Sequence, residues 1–340
     1  MTVLVLRALG LGDALTGVAA LRGVRRAWPG HRVVLASGQG IGDWLSGLGV
    51  VDAVLPTHGL ARLPWPWAGP GGAQDAPGCL AVDLHGRGPE SHRVLQATRP
   101  DALIAFDNAE AGHIGPDWDD DEHEVLRWCR LVRSVGGSCG PDDLRLRRPH
   151  PRPHRPGGRG DPVVVHPGAA AGARRWPAAR WAEVVAALAA RGHDVVLTGS
   201  PQERLLCRRV AAAADAPVRD LSGGLALPAL ADLVATSRLL VSTDTGVAHL
   251  ATAYGTPSVT LFGPTPPALW GPLIDRDRHV VVWLDEPGAA PRDANADRLD
   301  PALARLTAAD VVAGCEAALR PRRANGSGTT PPSVPARPAS

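Results

Sequence analysis

At 340 residues the chain is long enough for two domains of about 150 residues each, and its 44% hydrophobic and 21% charged residues are those of a folded globular protein. A formal net charge of +2, with the arginines dispersed, excludes nucleic-acid binding driven by field alone. Five widely separated cysteines without a CxxC pair argue against a disulfide framework and a cysteine zinc site and fit a reducing cytoplasm. The first apolar run, Val3 to Leu6, is interrupted by Arg7 and is too short for a signal-peptide core. No later stretch approaches the roughly 18 apolar residues that span a bilayer. The expected location is cytoplasmic, with membrane contact at most peripheral, at the inner face.

In chain order, Val3-Leu4-Val5-Leu6 reads as a buried strand, followed by a loop with Gly10, Gly12 and Asp13 and by apolar residues at helical spacing over 14–28. Further β-rich runs fall at 32–36, 53–55, 79–83 and 102–106, each separated by enough chain for a crossover. Short strands alternating with helices predict a parallel sheet covered on both faces, a Rossmann-like domain over 1–150. Residues 145–161 are rich in Arg, Pro, His and Gly without apolar periodicity, and read as a linker. The rhythm then restarts with strands at 163–165, 195–198, 239–242 and 258–262 and helices at 179–191 and 203–214, which predicts a second parallel-sheet domain over 151–320. Residues 321–340 have the composition of a disordered tail. Ligands of such sheets sit at the carboxyl ends of the strands, and two facing sheets would share a cleft.

Chemistry-bearing residues cluster where strands end. In Arg7-Ala8-Leu9-Gly10-Leu11-Gly12-Asp13 the glycines permit close approach, but the loop lacks the third glycine of a dinucleotide fingerprint and the Lys-Ser/Thr ending of a P-loop. Asp13 reads either as a helix cap or as a carboxylate that deprotonates an acceptor hydroxyl. His166-Pro167-Gly168-Ala169 follows a buried strand and reads as backbone donors facing the cleft, and the following Arg174 and Arg175 read either as a solvated turn or as charges that neutralise a diphosphate. The sharpest signal is Ser242-Thr243-Asp244-Thr245-Gly246-Val247-Ala248-His249. There Thr245 and Gly246 open a helix whose amides and dipole suit phosphate, and Asp244 can accept from sugar hydroxyls or order the loop. His249 reads as a phosphate or donor contact, or as a core histidine. The loop 262–270, with three prolines, should border the same opening. The acidic run 117–122 has no patterned partner ligands and reads as a solvated loop. Arg22, Arg25 and Arg26 form either a solvated helix face or one that approaches an anionic acceptor or membrane surface.

Several ordered segments together resemble glycosyltransferase family 9, the lipopolysaccharide heptosyltransferase family: VLVLRALGLGDALTGVAALRGVRRAWPGHRV over 3–33, then VVVHPGA, RRWPAARWAEVVAALAARGHDVVLTGSPQE, DLSGGLALPALADLVATS and LVSTDTGVAHLATAYGTPSVTLFGPT. Residues 50–149 match only in strand-helix character. The resemblance implies the GT-B fold, with two facing Rossmann-like domains, an acceptor side in the N-terminal domain and a nucleotide-sugar donor side in the C-terminal one. It implies Asp13 as catalytic base, with Gly10 and Gly12 in its loop. It places Gly168, Ala169, Arg174, Asp244, Thr245, Gly246 and His249 at the donor, with Leu225 and Leu227 beside the base and Glu203 at the ribose. Arg174 stands where the family usually has Lys, so a planar fork replaces a compact ammonium.

The activity implied is inverting, metal-independent transfer of a heptose-like or other sugar from a nucleotide diphosphate, ADP-linked or otherwise, to a hydroxyl of a glycan or glycolipid. No cofactor and no metal are expected, and activity should survive chelator. Two other readings are a catalytically silent nucleotide-sugar binding protein and a nucleotide-sugar epimerase or phosphorylase of similar fold.

Overall fold

The computed structural model describes residues 1–65, 79–148, 161–284 and 292–320. The chain divides into two compact units, Met1–Leu146 and Arg147–Ser340. The boundary expected after residue 150, most of the expected linker and the tail over 321–340 lie outside the described residues.

Unit 1 runs β1 (Thr2–Leu6), α1 (Leu11–Thr16), α2 (Val18–Ala27), β2 (Arg32–Ser37), α3 (Gln39–Gly47), β3 (Ala53–Pro56), β4 (Cys79–Asp83), α4 (Glu90–Gln96), β5 (Ala102–Ile104) and α5 (Glu124–Arg133). Its described strands form a parallel sheet in the order β3-β2-β1-β4-β5. Every residue of β1 is buried, as a central strand with both faces covered requires. The chain steps from β1 outward through β2 and β3 on one side, and through β4 and β5 on the other. The order therefore reverses between β1 and β4, where Leu6 pairs with Asp83.

The helix expected over 14–28 differs in two ways. It starts three residues earlier, because Gly10, extended at φ −70° and ψ 176°, is its N-cap. It is also divided at Gly17, where the Arg7 side chain crosses so closely that a Cβ on Gly17 would lie 2.7 Å from Arg7 Cδ and Nε. Gly12 and Asp13 thus belong to the first helical turn, and Asp13 is not the cap.

Arg7 is only 1% exposed. Its guanidinium donates to the carbonyls of Asp13 and Leu84, to Thr16 Oγ1 at 2.9 Å and to Glu124 Oε1 at 3.0 Å. Glu124 also accepts from Arg127 at 2.6 Å and from Trp128 Nε1 at 2.7 Å. Burial pushes the Glu124 carboxyl upward, but Arg7, Trp128 and Arg127 outweigh it and hold it below the usual carboxylate range. The arginines of α2 are likewise committed inside the unit: Arg22 to the carbonyls of Asp143 and Arg145, Arg25 to Asp52 at 2.9 Å, Arg26 to Asp143 at 2.9 Å. That leaves the anionic-surface reading of this face without support.

Unit 2 runs β6 (Val163–His166), α6 (Ala178–Ala190), β7 (Val195–Leu197), α7 (Arg204–Ala214), β8 (Val218–Asp220), α8 (Leu227–Ala235), β9 (Leu239–Thr243), α9 (Gly246–Tyr254), β10 (Ser258–Leu261), α10 (Pro267–Trp270), β11 (His279–Val282), α11 (Pro301–Arg305) and α12 (Ala308–Leu319). Its strands are parallel in the order β11-β10-β9-β6-β7-β8. The two edge strands, β8 and β11, escape the sequence reading; β8 carries a single apolar residue. In α6 the buried side chains Trp181, Ala182, Val184, Val185 and Leu188 recur at helical spacing and face the core. Trp176 and Trp181 pack edge to face at 5.0 Å, and Trp176 Nε1 donates to the Leu306 carbonyl at 3.2 Å. Helix α9 ends at Gly255, whose φ of +60° suits a residue without Cβ. Arg148 and Arg278 donate to the terminal carbonyls of Tyr254 and Gly255, placing cations at the negative end of the helix.

Candidate functional site

In unit 2 the predicted residues gather at the carboxyl ends of β6 and β9. Strand β6 delivers His166, and the loop that follows it, Pro167 to Ala169, is buried. Glu203 closes a short 3-10 turn over Pro201–Glu203, its Oε2 accepting from the Ser200 amide at 2.7 Å. A Cβ on Gly168 would overlap Cδ and Oε1 of Glu203, so these two predicted positions are in van der Waals contact and a side chain at 168 would displace the end of Glu203. His166 Nδ1 lies 3.0 Å from Thr198 Oγ1, and its Nε2 lies 4.0 Å from Glu203 Oε2. Burial pushes the His166 imidazole down, against the pull of Glu203. The Gly223 amide donates to the Gly199 carbonyl at 2.7 Å and Arg204 donates to the Gly223 carbonyl at 2.8 Å, which draws the turn before half-buried Leu225 and Leu227 toward the Glu203 turn.

The second half of the cluster forms around β9. Asp244 is buried, and its amide donates to the Leu261 carbonyl at 2.9 Å. Thr245, extended at φ −146° and ψ 170°, is the N-cap of α9, and Gly246 is its first residue; the Ala248 amide donates to the Thr245 carbonyl at 3.0 Å, while the Gly246 and Val247 amides precede the first intrahelical bond. Arg174 ends a 3-10 turn and donates from Nη1 to the Asp244 carbonyl at 3.1 Å. Its neighbour Arg175 instead donates to the carbonyls of Ala169 and Ala170, both at 2.9 Å, and so ties down the Gly168 loop. His249 stacks edge-on against Trp270 at 6.1 Å, which brings the expected 262–270 loop to this helix.

Among the described residues, four buried polar atoms here have no hydrogen-bond partner: Arg174 Nε, the hydroxyls of Ser242 and Thr243, which end β9, and the hydroxyl of Thr245, which caps α9. Leaving a buried polar group unsatisfied costs about 1–3 kcal/mol, and of these atoms Arg174 Nε and the Thr245 hydroxyl adjoin the N-terminus of α9, a setting that suits an anionic ligand.

In unit 1, Asp13 is half-buried, and among the described residues its carboxylate makes no hydrogen bond or ion pair. Its backbone is fixed, since its carbonyl accepts from Arg7, from Thr16 Oγ1 at 2.9 Å and from the Gly17 amide at 3.0 Å. A Cβ on Gly10 would come within 3.5 Å of Asp13 Oδ2, so that glycine leaves one side of the carboxylate open. Gly12 is half-buried in the same turn.

The sequence reading missed the residues that surround this loop. His85 Nδ1 accepts from the Ala8 amide at 3.2 Å, and the His85 amide donates to Asp83 Oδ1 at 2.9 Å. The other oxygen of Asp83 lies 3.0 Å from Nδ1 of fully buried His92, whose Nε2 donates to the Phe106 carbonyl at 2.8 Å. Burial opposes charge on His92, but Asp83 and the Phe106 carbonyl prevail and raise its pKa. An Asp-x-His directly after the apolar run at 79–83 is the signal that could have found this group. The acidic run 117–122 is held by Arg127, which donates to the carbonyls of Asp119, Asp120 and Glu122, and by Arg130, which pairs with Glu122. Among the described residues no three His, Cys, Asp or Glu side chains are grouped to hold a metal ion.

Comparison with known proteins places these loops in context. Residues 115–301 match the model for glycosyltransferase family 9 (heptosyltransferase). A lipopolysaccharide heptosyltransferase 3 of Escherichia coli is 32% identical over 157 residues, 45% of this chain and 46% of that protein, so the match spans just under half the length of this relative. Among solved structures, a family 9 glycosyl transferase from Veillonella parvula superposes with a TM-score of 0.74 at 16% identity, over 94% of this chain and 97% of its own. An E. coli ADP-heptose lps heptosyltransferase II gives a TM-score of 0.70 at 20% identity, over 94% and 98%. At these identities the likeness is one of fold, the GT-B arrangement of two Rossmann-like α/β units.

Proposed function

The chain belongs to glycosyltransferase family 9, and from that membership we propose that it transfers a sugar, heptose or one of similar shape, from an ADP-linked donor to a hydroxyl of a glycan or glycolipid. The observation that carries the reading is the set of four polar atoms without a partner among the described residues, Arg174 Nε and the hydroxyls of Ser242, Thr243 and Thr245, where β9 ends and α9 begins. An ADP-sugar supplies what this set lacks: diphosphate oxygens for the guanidinium, hydroxyls and helix amides, and sugar hydroxyls for Asp244. Glu203, fixed against Gly168, serves the ribose, with Leu225 and Leu227 against the base.

In the reaction the acceptor oxygen attacks the anomeric carbon while Asp13 takes its proton. The bond from that carbon to the β-phosphate oxygen breaks, and its electron pair leaves with the diphosphate. Arg174 and the α9 amides stabilise the charge that develops there, so no metal is needed for departure. A single displacement inverts the anomeric centre. Donor supply and the five free thiols suit a cytoplasmic enzyme, working at the inner face of the membrane when the acceptor is a glycolipid.

The test is calorimetric titration of wild type, Asp244→Ala and Asp13→Ala with nucleotide diphosphates and nucleotide sugars in chelator. The expected result is binding of one nucleotide class by wild type, loss of affinity for the sugar conjugate in Asp244→Ala, and normal binding without turnover in Asp13→Ala. Absence of binding across the set would overturn the proposal. Binding without acceptor-dependent release by wild type would identify a silent nucleotide-sugar binder.

A further inference from the structure

Arg174 sits on a turn too short to hold itself in place. The 3-10 turn Gly172–Arg174 closes through backbone bonds from the Arg174 amide to the Ala171 carbonyl at 3.2 Å and from the Arg175 amide to the Gly172 carbonyl at 3.0 Å. Bonds of this i to i+3 kind have poor geometry and seldom sustain a turn alone. The guanidinium reaches the Asp244 carbonyl through Nη1 and leaves Nε without a partner among the described residues.

Residues 292–300, which the proposed reaction does not use, supply what the turn lacks. The amide of buried Ala173 donates to the Ala296 carbonyl at 2.8 Å, and its carbonyl accepts from the Asp300 amide at 3.1 Å. Both backbone groups of the residue before Arg174 are therefore held by one segment. Gly172 lies against the same segment: a Cβ there would overlap the Asp297 carbonyl, a backbone group that cannot swing aside as the end of a long side chain can.

The segment is itself anchored at Asp300, which is buried. Its Oδ1 accepts from the Ala302 amide at 2.9 Å, capping α11, and its Oδ2 accepts from Arg292 Nε at 2.6 Å. A buried carboxylate is tolerated only while it is paired in this way. Arg292 also donates to the Gly263 carbonyl at 3.3 Å, so the same pair ties down the start of the 262–270 loop.

We infer that segment 292–300, anchored by the Arg292–Asp300 pair, is a strap that positions Arg174, fixing its turn so that the free Nε is held ready for a phosphate oxygen. The inference rests on the reading of Arg174 at the diphosphate. The strap acts through the backbone of Ala173. A guanidinium ordered in advance loses less freedom when the ligand arrives.

Two variants loosen the strap without touching Arg174. Gly172→Ala drives a methyl group into the Asp297 carbonyl, whereas Asp300→Asn keeps an oxygen for the Ala302 amide and removes the acceptor of Arg292 Nε. By calorimetry, ADP affinity should fall in both, roughly 10- to 100-fold in Gly172→Ala, the loss of a hydrogen bond to a charged group. In an Arg174→Ala background neither change should cost more than about 2-fold further. The Arg174 Nε–H order parameter, from 15N relaxation with the resonance assigned by its absence in Arg174→Ala, should be near that of rigid backbone, about 0.85, in wild type and below about 0.6 in both variants.

Losses that add in full to that of Arg174→Ala would overturn the inference, because the segment would then only brace unit 2. An order parameter already below about 0.6 in wild type, or unchanged in the variants, would overturn it whatever the affinities. If Gly172→Ala fails to fold, Asp300→Asn carries both readouts. If wild type binds no ADP, the reading of the donor fails separately, and the order parameters alone decide whether the strap holds Arg174.

Discussion

Adding one methyl group at Gly168 should disable the Glu203 contact without touching Glu203 itself. The Cβ of Gly168→Ala would occupy the place of the carboxylate, and restoring ordinary contact requires Glu203 to retreat by more than about 1 Å. A retreat of that size should draw the carboxylate away from the Ser200 amide, to which Oε2 is now bonded at 2.7 Å. Losing one hydrogen bond made by a charged group is worth about 1.5–3 kcal/mol. If Glu203 holds the ribose, ADP binding should therefore weaken roughly 10- to 100-fold. Titration calorimetry with ADP measures this directly in a cycle of wild type, Gly168→Ala, Glu203→Ala and the double variant. In the Glu203→Ala background the obstructed group is gone, so Gly168→Ala should cost almost nothing further. Equal weakening by Gly168→Ala in both backgrounds would refute the reasoning, as would ADP affinity in Gly168→Ala equal to that of wild type.

Replacing Glu124 by Leu should lower the stability of unit 1 by about 3–5 kcal/mol, since it strands the buried Arg7 guanidinium. Urea unfolding followed at the tryptophans of unit 1 would read it, and a loss below about 1 kcal/mol would mean the other acceptors of Arg7 suffice. The raised pKa of His92 makes the charged form the stabilising one. Its contribution should be complete below the unfolded value of about 6.5 and disappear as pH rises through the folded value. Unfolding midpoints of wild type and His92→Gln measured across that range should converge at high pH, and a constant gap between them would contradict the assignment of charge to His92.

How much of the site could be read in advance depended on how local its determinants are. Asp244, Thr245 and Gly246 follow a continuous apolar run, and Gly168 follows another, so the alternation of buried strand and polar loop located both ends of the cluster in unit 2. The GLGD loop was legible for the same reason. Asp13's place in the helix was not, because the start at Leu11 depends on the extended backbone of Gly10, and the division at Gly17 depends on an arginine ten residues earlier. Arg174 and Arg175 look alike in sequence. Only the fold separates them, sending one to the Asp244 carbonyl with its Nε unpartnered and the other to the carbonyls of Ala169 and Ala170.

By itself, then, the sequence determined the central strands and their alternation with helices, the parallel class of both sheets and the loops that carry polar groups, since periodicity and strand-end chemistry are properties of short segments. Tertiary structure decided what lies across the chain. It buried Arg7 against Glu124 over 117 residues of separation and joined Asp83 to His92 and His85 beside the Asp13 loop. Such pairings follow from strand order and the packing of crossovers, which bring distant charges together in a low-dielectric interior where each must find a partner.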